Sequence, residues 1–205
     1  MWSLINGAAD LVGQHPGLAI LIAFAASIIE AVAILGILIP GTPILMAVAA
    51  AAAMAGLSMT PILIVSIIGA VIGDFVSFYV GHRFSFRLRA VCPFATRPSL
   101  LAQAERFFAR YGTASVATCR FIPVLRSTVP LVAGMAGMSR SRFLIANVSS
   151  ALIWAPLHVV PAQFAGLSLA DLETGDWQNA AICAAAVVVI SSCGWLLHRK
   201  LARAR

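Results

Sequence analysis

Charge is what this sequence has least of. Asp, Glu, Lys and Arg make up 10% of its 205 residues, against roughly a quarter in soluble domains. That scarcity excludes an ordinary solvated surface. With 61% hydrophobic residues and a mean hydropathy of +0.97, the chain reads as an all-α, polytopic integral membrane protein. Residues 1–14 hold no Lys or Arg, so the positive region of a cleavable signal is missing and none is expected. The four cysteines, Cys92, Cys119, Cys183 and Cys193, lack metal-ligand spacing, and no metal or other cofactor is expected. The four histidines are scattered, and nothing pairs a nucleophile with an acid and a base. A membrane enzyme is therefore not expected. A net charge of +7 would point to nucleic acid in a soluble protein. Here the arginines flank apolar segments, so membrane topology and anionic headgroups account for the charge, and nucleic acid is not an expected partner.

What the chain does have is apolar helix interrupted at regular places. It reads as one membrane domain, 1–205, in consecutive parts. Segment 1–16 suits an interfacial helix, with Trp2, Leu4, Ile5, Leu11 and Val12 among polar residues. Residues 17–82 form a first unit. Its apolar run 18–39 holds Ser27 and Glu30, and its 22 residues suffice to cross a core of about 30 Å. The run stops at Pro40-Gly41-Thr42-Pro43, and the return arm 44–57 reaches only about 21 Å. A broken run with a short return predicts a re-entrant hairpin, tolerated at membrane depth only under a protein cover. Pro61 opens a spanning helix that is expected to end near Gly81, with Asp74 inside it.

Residues 83–112 are the most polar part, with six arginines against Glu105. Ser99 is placed to cap an amphipathic surface helix whose apolar face is Leu101, Ala104, Phe107 and Phe108. Residues 113–164 form a second unit. Two arms of about 15 Å each, 113–122 and 129–138, enclose CRFIPVLRSTVP with Pro123 and Pro130. A helix over 143–164 follows, expected to be interrupted at Pro156 and Pro161. An acidic loop, 165–177, then leads to a C-terminal spanning helix, 178–198.

The two units repeat. Shifting the sequence by 81 residues aligns Ala55/Ala136, Gly56/Gly137, Ser58/Ser139, Leu63/Leu144, Ile64/Ile145, Ala70/Ala151 and Ile72/Ile153 without a gap. If every arginine-rich loop is cytoplasmic, the 57–61 turn and the 165–177 loop lie outside. The two hairpins then enter from opposite sides, as an inverted repeat. In such transporters the site lies near the midplane, where the broken elements meet. Glu30 and the Arg120/Arg126 pair would face each other there. Taken alone, those arginines admit two readings: charges held inside protein, or charges that snorkel to the surface.

The residues Glu30, Pro40-Gly41, GAVIGDFVSFYVGHRF (69–84), RFIPVLRSTVPLVAGMAGM (120–138), Phe143 and Trp154 together resemble the DedA family, whose members share the VTT (SNARE-associated) domain. The resemblance covers most of 19–156. It implies two oppositely oriented re-entrant hairpins with flanking transmembrane helices, in the bacterial cytoplasmic membrane. The implied activity is translocation of a lipid with a phosphate headgroup, undecaprenyl phosphate or a similar polyprenyl phosphate, or a phospholipid. Protons are the implied coupling partner.

With that resemblance, Arg120 and Arg126 read as a cationic clamp, since guanidinium binds phosphate bidentately and stays charged. Six residues apart in one helix they would diverge by about 240°, and the break at Pro123 removes that constraint. Glu30 reads as their proton-titrating or charge-balancing partner. Pro40, Gly41, Thr42, Pro123, Pro130 and Gly134 support the hairpins, and Thr42 either offers a hydroxyl to the ligand or caps the return arm. Asp74 reads equally as a structural partner near the cytoplasmic surface or as part of the site. Asn147 is expected to bond across helices, and His158 to relay protons or simply to sit satisfied. Ser149-Ser150 stand where relatives have a step to Gly, read as a neutral packing change. Some relatives carry an acid where this chain has Thr42, so an uncoupled scramblase stands beside the coupled flippase. A non-transporting homeostasis or assembly factor is the third reading, against which the intramembrane charges argue.

Overall fold

Every described element is an α-helix. A computed structural model describes residues 2–88, 98–122, 125–175, 178–179 and 181–182. In chain order they form α1 (Trp2–Gln14), α2 (Pro16–Ala31), α3 (Leu35–Leu38), α4 (Gly41–Met54), α5 (Thr60–Leu88), α6 (Pro98–Tyr111), α7 (Thr113–Cys119), α8 (Thr128–Met135) and α9 (Arg140–Thr174). Two of these, through Thr60–Ser85 and Arg140–Leu172, are long and apolar enough to cross a membrane. The expected helix at 178–198 lies almost wholly outside the described residues, as do Pro123 and the middle of the basic segment, 89–97.

Pro16 takes the first turn of α2, where its missing N–H costs nothing. The chain bends there by 106° between α1 and α2. The run 18–39 is not one helix. It breaks at Val32, whose backbone is extended (φ −75°, ψ 123°), eight residues before Pro40. A hydroxyl on α5 meets the break: Ser77 Oγ accepts from the Ala33 N–H at 2.9 Å, and its one proton is shared between the Ala31 and Gly73 carbonyl oxygens, each 3.1 Å away. Backbone groups freed by the break are thus met by a neighbouring helix, the condition for irregular backbone inside a membrane.

Three further expectations are corrected. The helix α5 runs past Gly81 to Leu88, bending only where Phe84 leaves helical geometry (φ −123°, ψ 24°). Pro98 opens α6, which puts Ser99 inside the first turn rather than at the cap, while Leu101, Ala104 and Phe107 do form its buried face. Pro156 and Pro161 do not interrupt α9, which continues to Thr174 and takes up most of the supposed acidic loop. Proline removes one hydrogen bond and crowds the preceding turn, but a helix packed in a membrane tolerates this because its neighbours hold the backbone in place.

The two Ala-Gly-x-Ser turns have the same backbone. Gly56 (φ 69°) closes α4 and Gly137 (φ 71°) closes α8, both in the left-handed region that glycine favours. Leu57 N donates to Ala52 O at 2.9 Å, and Met138 N to Ala133 O at 3.1 Å, the same six-residue closure 81 residues on. Packing is also reciprocal: α4 lies against α9, and α8 against α5. Two buried apolar groups result. One joins Phe78, Leu101, Phe107, Val129, Leu131 and Phe143; the other joins Leu45, Ala49, Ile62, Ala70, Trp154 and Val159.

Candidate functional site

Where α2, α4, α5, α7 and α9 converge, the chain buries charge. Glu30 is the penultimate residue of α2 and Thr42 the second of α4. Their approach needs Gly41: a Cβ there would stand 2.8 Å from the Glu30 Cβ and closer still to the Ala26 carbonyl oxygen. The Thr42 hydroxyl donates to the Glu30 carboxylate, 2.5 and 2.7 Å from its two oxygens. It is therefore not a helix cap; α4 has no side-chain cap, and Pro40 precedes its first turn. Arg126, in the turn before α8, completes this group. Its Nη1 pairs with Glu30 and also donates to Thr42 Oγ1 at 3.2 Å. In α8 itself Pro130 and Gly134 are buried.

Arg120 belongs to a second group. It follows α7, and its Nη2 pairs with Asp74 on α5 and donates to Asn147 Oδ1 at 2.6 Å, while Nε donates to Ser150 Oγ at 3.2 Å. Asn147 Nδ2 reaches across to the Val71 carbonyl at 3.0 Å, so α9 is tied to α5 at the same point. The sequence reading set Glu30 against both arginines; the structure divides them, Glu30 with Arg126 and Asp74 with Arg120. Asp74 thus has no part in a pairing near the surface. Arg120 and Asp74 are 4% and 5% exposed, so neither charge reaches water by snorkelling. Losing one partner of such a pair costs about 3–5 kcal/mol, because the other charge is left buried and alone.

Trp154 joins the two groups. The Arg120 guanidinium carbon lies 5.7 Å, and that of Arg126 5.1 Å, from its ring centroid, both within cation–π range. The His158 ring lies tilted against the same indole, centroids 4.9 Å apart, and its Nδ1 lies 2.8 Å from the Trp154 carbonyl oxygen. Its ring is held by its own helix, one turn away. Two buried side-chain nitrogens find no hydrogen-bond partner among the described residues: Arg120 Nη1 and Trp154 Nε1. Leaving a buried donor unmet costs about 1–3 kcal/mol.

Two residues of this arrangement escaped the sequence reading. Ser150, taken as a packing change, is a ligand of Arg120. Trp154 carried only the resemblance and was given no role. A signal existed: Asn147, Ser150, Trp154 and His158 recur at steps of three, four and four, which places them on one face of α9. Among the described residues no group of His, Cys, Asp and Glu is placed to hold a metal ion.

Comparison with known proteins places the chain among membrane proteins. The VTT domain profile matches residues 39–164. The inner membrane protein YabI of Escherichia coli is 27% identical over 183 residues, 88% of this chain and 70% of its own. An uncharacterized membrane protein of Mycobacterium tuberculosis is 34% identical over 177 residues, 83% of this chain and 80% of its own. Protein DedA of Escherichia coli is 30% identical over 131 residues, 62% and 60% of the two chains. No solved structure matches. With its matched domain, its spanning helices and these relatives, the chain is a multi-pass membrane protein that belongs to the VTT-domain, or DedA, family.

Proposed function

We propose that the protein carries a lipid with a phosphate headgroup across the membrane, with Arg126 and Arg120 receiving the phosphate and Glu30 exchanging places with it. The observation that carries this reading is the pair of arginines buried around one indole, each already holding a carboxylate. Two cations and two anions balance at rest. A phosphate entering the site can replace a carboxylate on a guanidinium without leaving either cation unpaired, and guanidinium favours the bidentate oxyanion. The Arg126–Glu30 pair is the exchangeable one. Its arginine side chain is the more exposed, 11% against 3% for Arg120, and its two partners come from separate broken elements that can part. The site binds rather than transforms its ligand.

Measured flux tests this directly. In proteoliposomes holding fluorescent polyprenyl phosphate, Arg126→Ala is expected to lower translocation at least a hundredfold with the fold intact, since about 3 kcal/mol of charge-assisted bonding is lost. Wild-type flux in that variant would remove the clamp. Thr42 favours a second reading, an uncoupled scramblase, because it places a neutral hydroxyl where some relatives have an acid. Flux indifferent to an imposed pH gradient would decide for it.

The mechanism we infer is rocking of two inverted hairpins, α2–α4 and α7–α8, about the site. The equal glycine turns and the reciprocal packing of α4 on α9 and α8 on α5 support it. Ser58 and Ser139 are equivalent and exposed. In the inverted arrangement an impermeant maleimide labels Ser58→Cys from outside only and Ser139→Cys from the cytoplasm only. Labelling of both from one side would contradict it.

A further inference from the structure

Trp154 is fully buried, yet its indole nitrogen has no hydrogen-bond partner among the described residues, and the same is true of Nη1 of the neighbouring Arg120. Native proteins leave few such atoms, and each calls for a reason. The rest of Arg120 is fully used: Nη2 serves Asp74 and Asn147, and Nε serves Ser150. Asp74, Asn147 and Ser150 hold this guanidinium in place and leave one edge unspent. Both unmet atoms are donors only, so whatever completes them must accept. Two donors, one of them cationic and both beside a second guanidinium, suit an anionic oxygen better than any neutral group.

We infer that Trp154 is a ligand-binding residue, its indole N–H and Arg120 Nη1 together receiving oxygens of the phosphate group. This rests on the transport reading of the same site. Trp154 then does two things at once: its ring holds both guanidiniums near each other, and its N–H replaces a bond that water would make to the headgroup. An alcohol lipid without the phosphate offers no oxyanion to this pair, which makes the pair a source of selectivity for the charged headgroup.

The experiment labels the tryptophan indoles with 15N in full-length protein in detergent micelles and assigns Trp154 by its absence in Trp154→Phe. Farnesyl monophosphate, inorganic phosphate and farnesol are titrated separately. With farnesyl monophosphate the Trp154 indole proton is expected to move downfield as its N–H gains an anionic acceptor. A shift by inorganic phosphate as well identifies a site for the free anion as much as for the lipid. No shift with either phosphate, or an equal shift with farnesol, overturns the inference; a resident water would give the first result. Trp154→Phe keeps an aromatic ring over the guanidiniums and is expected to weaken farnesyl monophosphate binding about tenfold. Arg120→Lys keeps the charge without the fork, and a similar loss is expected. Should Trp154→Phe fold poorly, Trp2→Phe, Trp177→Phe and Trp195→Phe assign the Trp154 resonance by elimination, and the wild-type shift still decides. If Arg126→Ala abolishes flux while the Trp154 resonance stays still, the inference fails and the transport reading stands. If the wild type shows no flux while the resonance moves with phosphate, the transport reading fails and the anion site remains.

Discussion

Arg120→Ala is expected to destabilise the protein more than any other single change at the site, and the double variant Arg120→Ala/Asp74→Ala to recover most of that loss without recovering transport. The reasoning lies in burial. Asp74 and Arg120 are 5% and 4% exposed, so alanine at 120 strands a carboxylate among apolar helices without the guanidinium that pairs with it. The cost is about 3–5 kcal/mol, on the order of 10 °C in melting temperature for a chain of this size. Removing Asp74 as well takes away the stranded charge, the larger part of the cost, and the space the two side chains leave accounts for what is not recovered. A thermal melt of the four proteins in detergent gives the coupling as a double-mutant cycle. Equal melting temperatures for the single and double variants would mean that Arg120 stabilises through Ser150 and Trp154 rather than through Asp74. Flux stays absent in both, because the phosphate loses Arg120 either way. Stability and transport are thereby separated at one residue.

How much of this was legible beforehand varies with the range of the cause. The break at Pro40-Gly41 and the two Ala-Gly-x-Ser turns were plain, because proline and glycine act through their own backbone. The break at Val32 was not, since Val32, Ala33 and Ile34 are ordinary apolar residues and the group that supports the break, Ser77, lies 44 positions from Ala33. The continuity of α9 was misread for the converse reason. Pro156 and Pro161 are local helix breakers in water, and the surrounding helices override them. Arg120, Arg126 and Glu30 stood out as costly charges in apolar segments, but their pairing did not. Asp74 and Arg120 are 46 residues apart in sequence and Glu30 and Arg126 are 96 apart, and no local pattern assigns one acid to one base. Trp154 and Ser150 were hidden by their surroundings, where an indole or a hydroxyl on a membrane helix is unremarkable until an arginine is placed beside it.

Glu30→Gln is expected to tighten binding of farnesyl monophosphate about tenfold while slowing translocation by a comparable factor. In the resting protein the Glu30 carboxylate occupies Arg126 and is itself held by the Thr42 hydroxyl. An incoming phosphate must displace it, and that exchange sets the apparent affinity. Glutamine keeps the shape and can still accept from Arg126, but it brings no negative charge, so the competitor is weaker by roughly one charge-assisted bond, about 1.5 kcal/mol. The phosphate therefore binds more tightly. Release suffers for the same reason, because the group that would reclaim the guanidinium on the far side of the membrane no longer repels the departing oxyanion. A carrier gains nothing from affinity that is equal on both sides, and flux falls when the bound state becomes too deep. The variant also removes the one carboxylate that touches Arg126 among the described residues. In the coupled reading the dependence of flux on a pH gradient should vanish with it. Asp74, which keeps its carboxylate on Arg120, would carry any dependence that survives. A Glu30→Gln protein that binds phosphate more weakly than wild type would mean that Glu30 holds Arg126 in position for the ligand instead of competing with it.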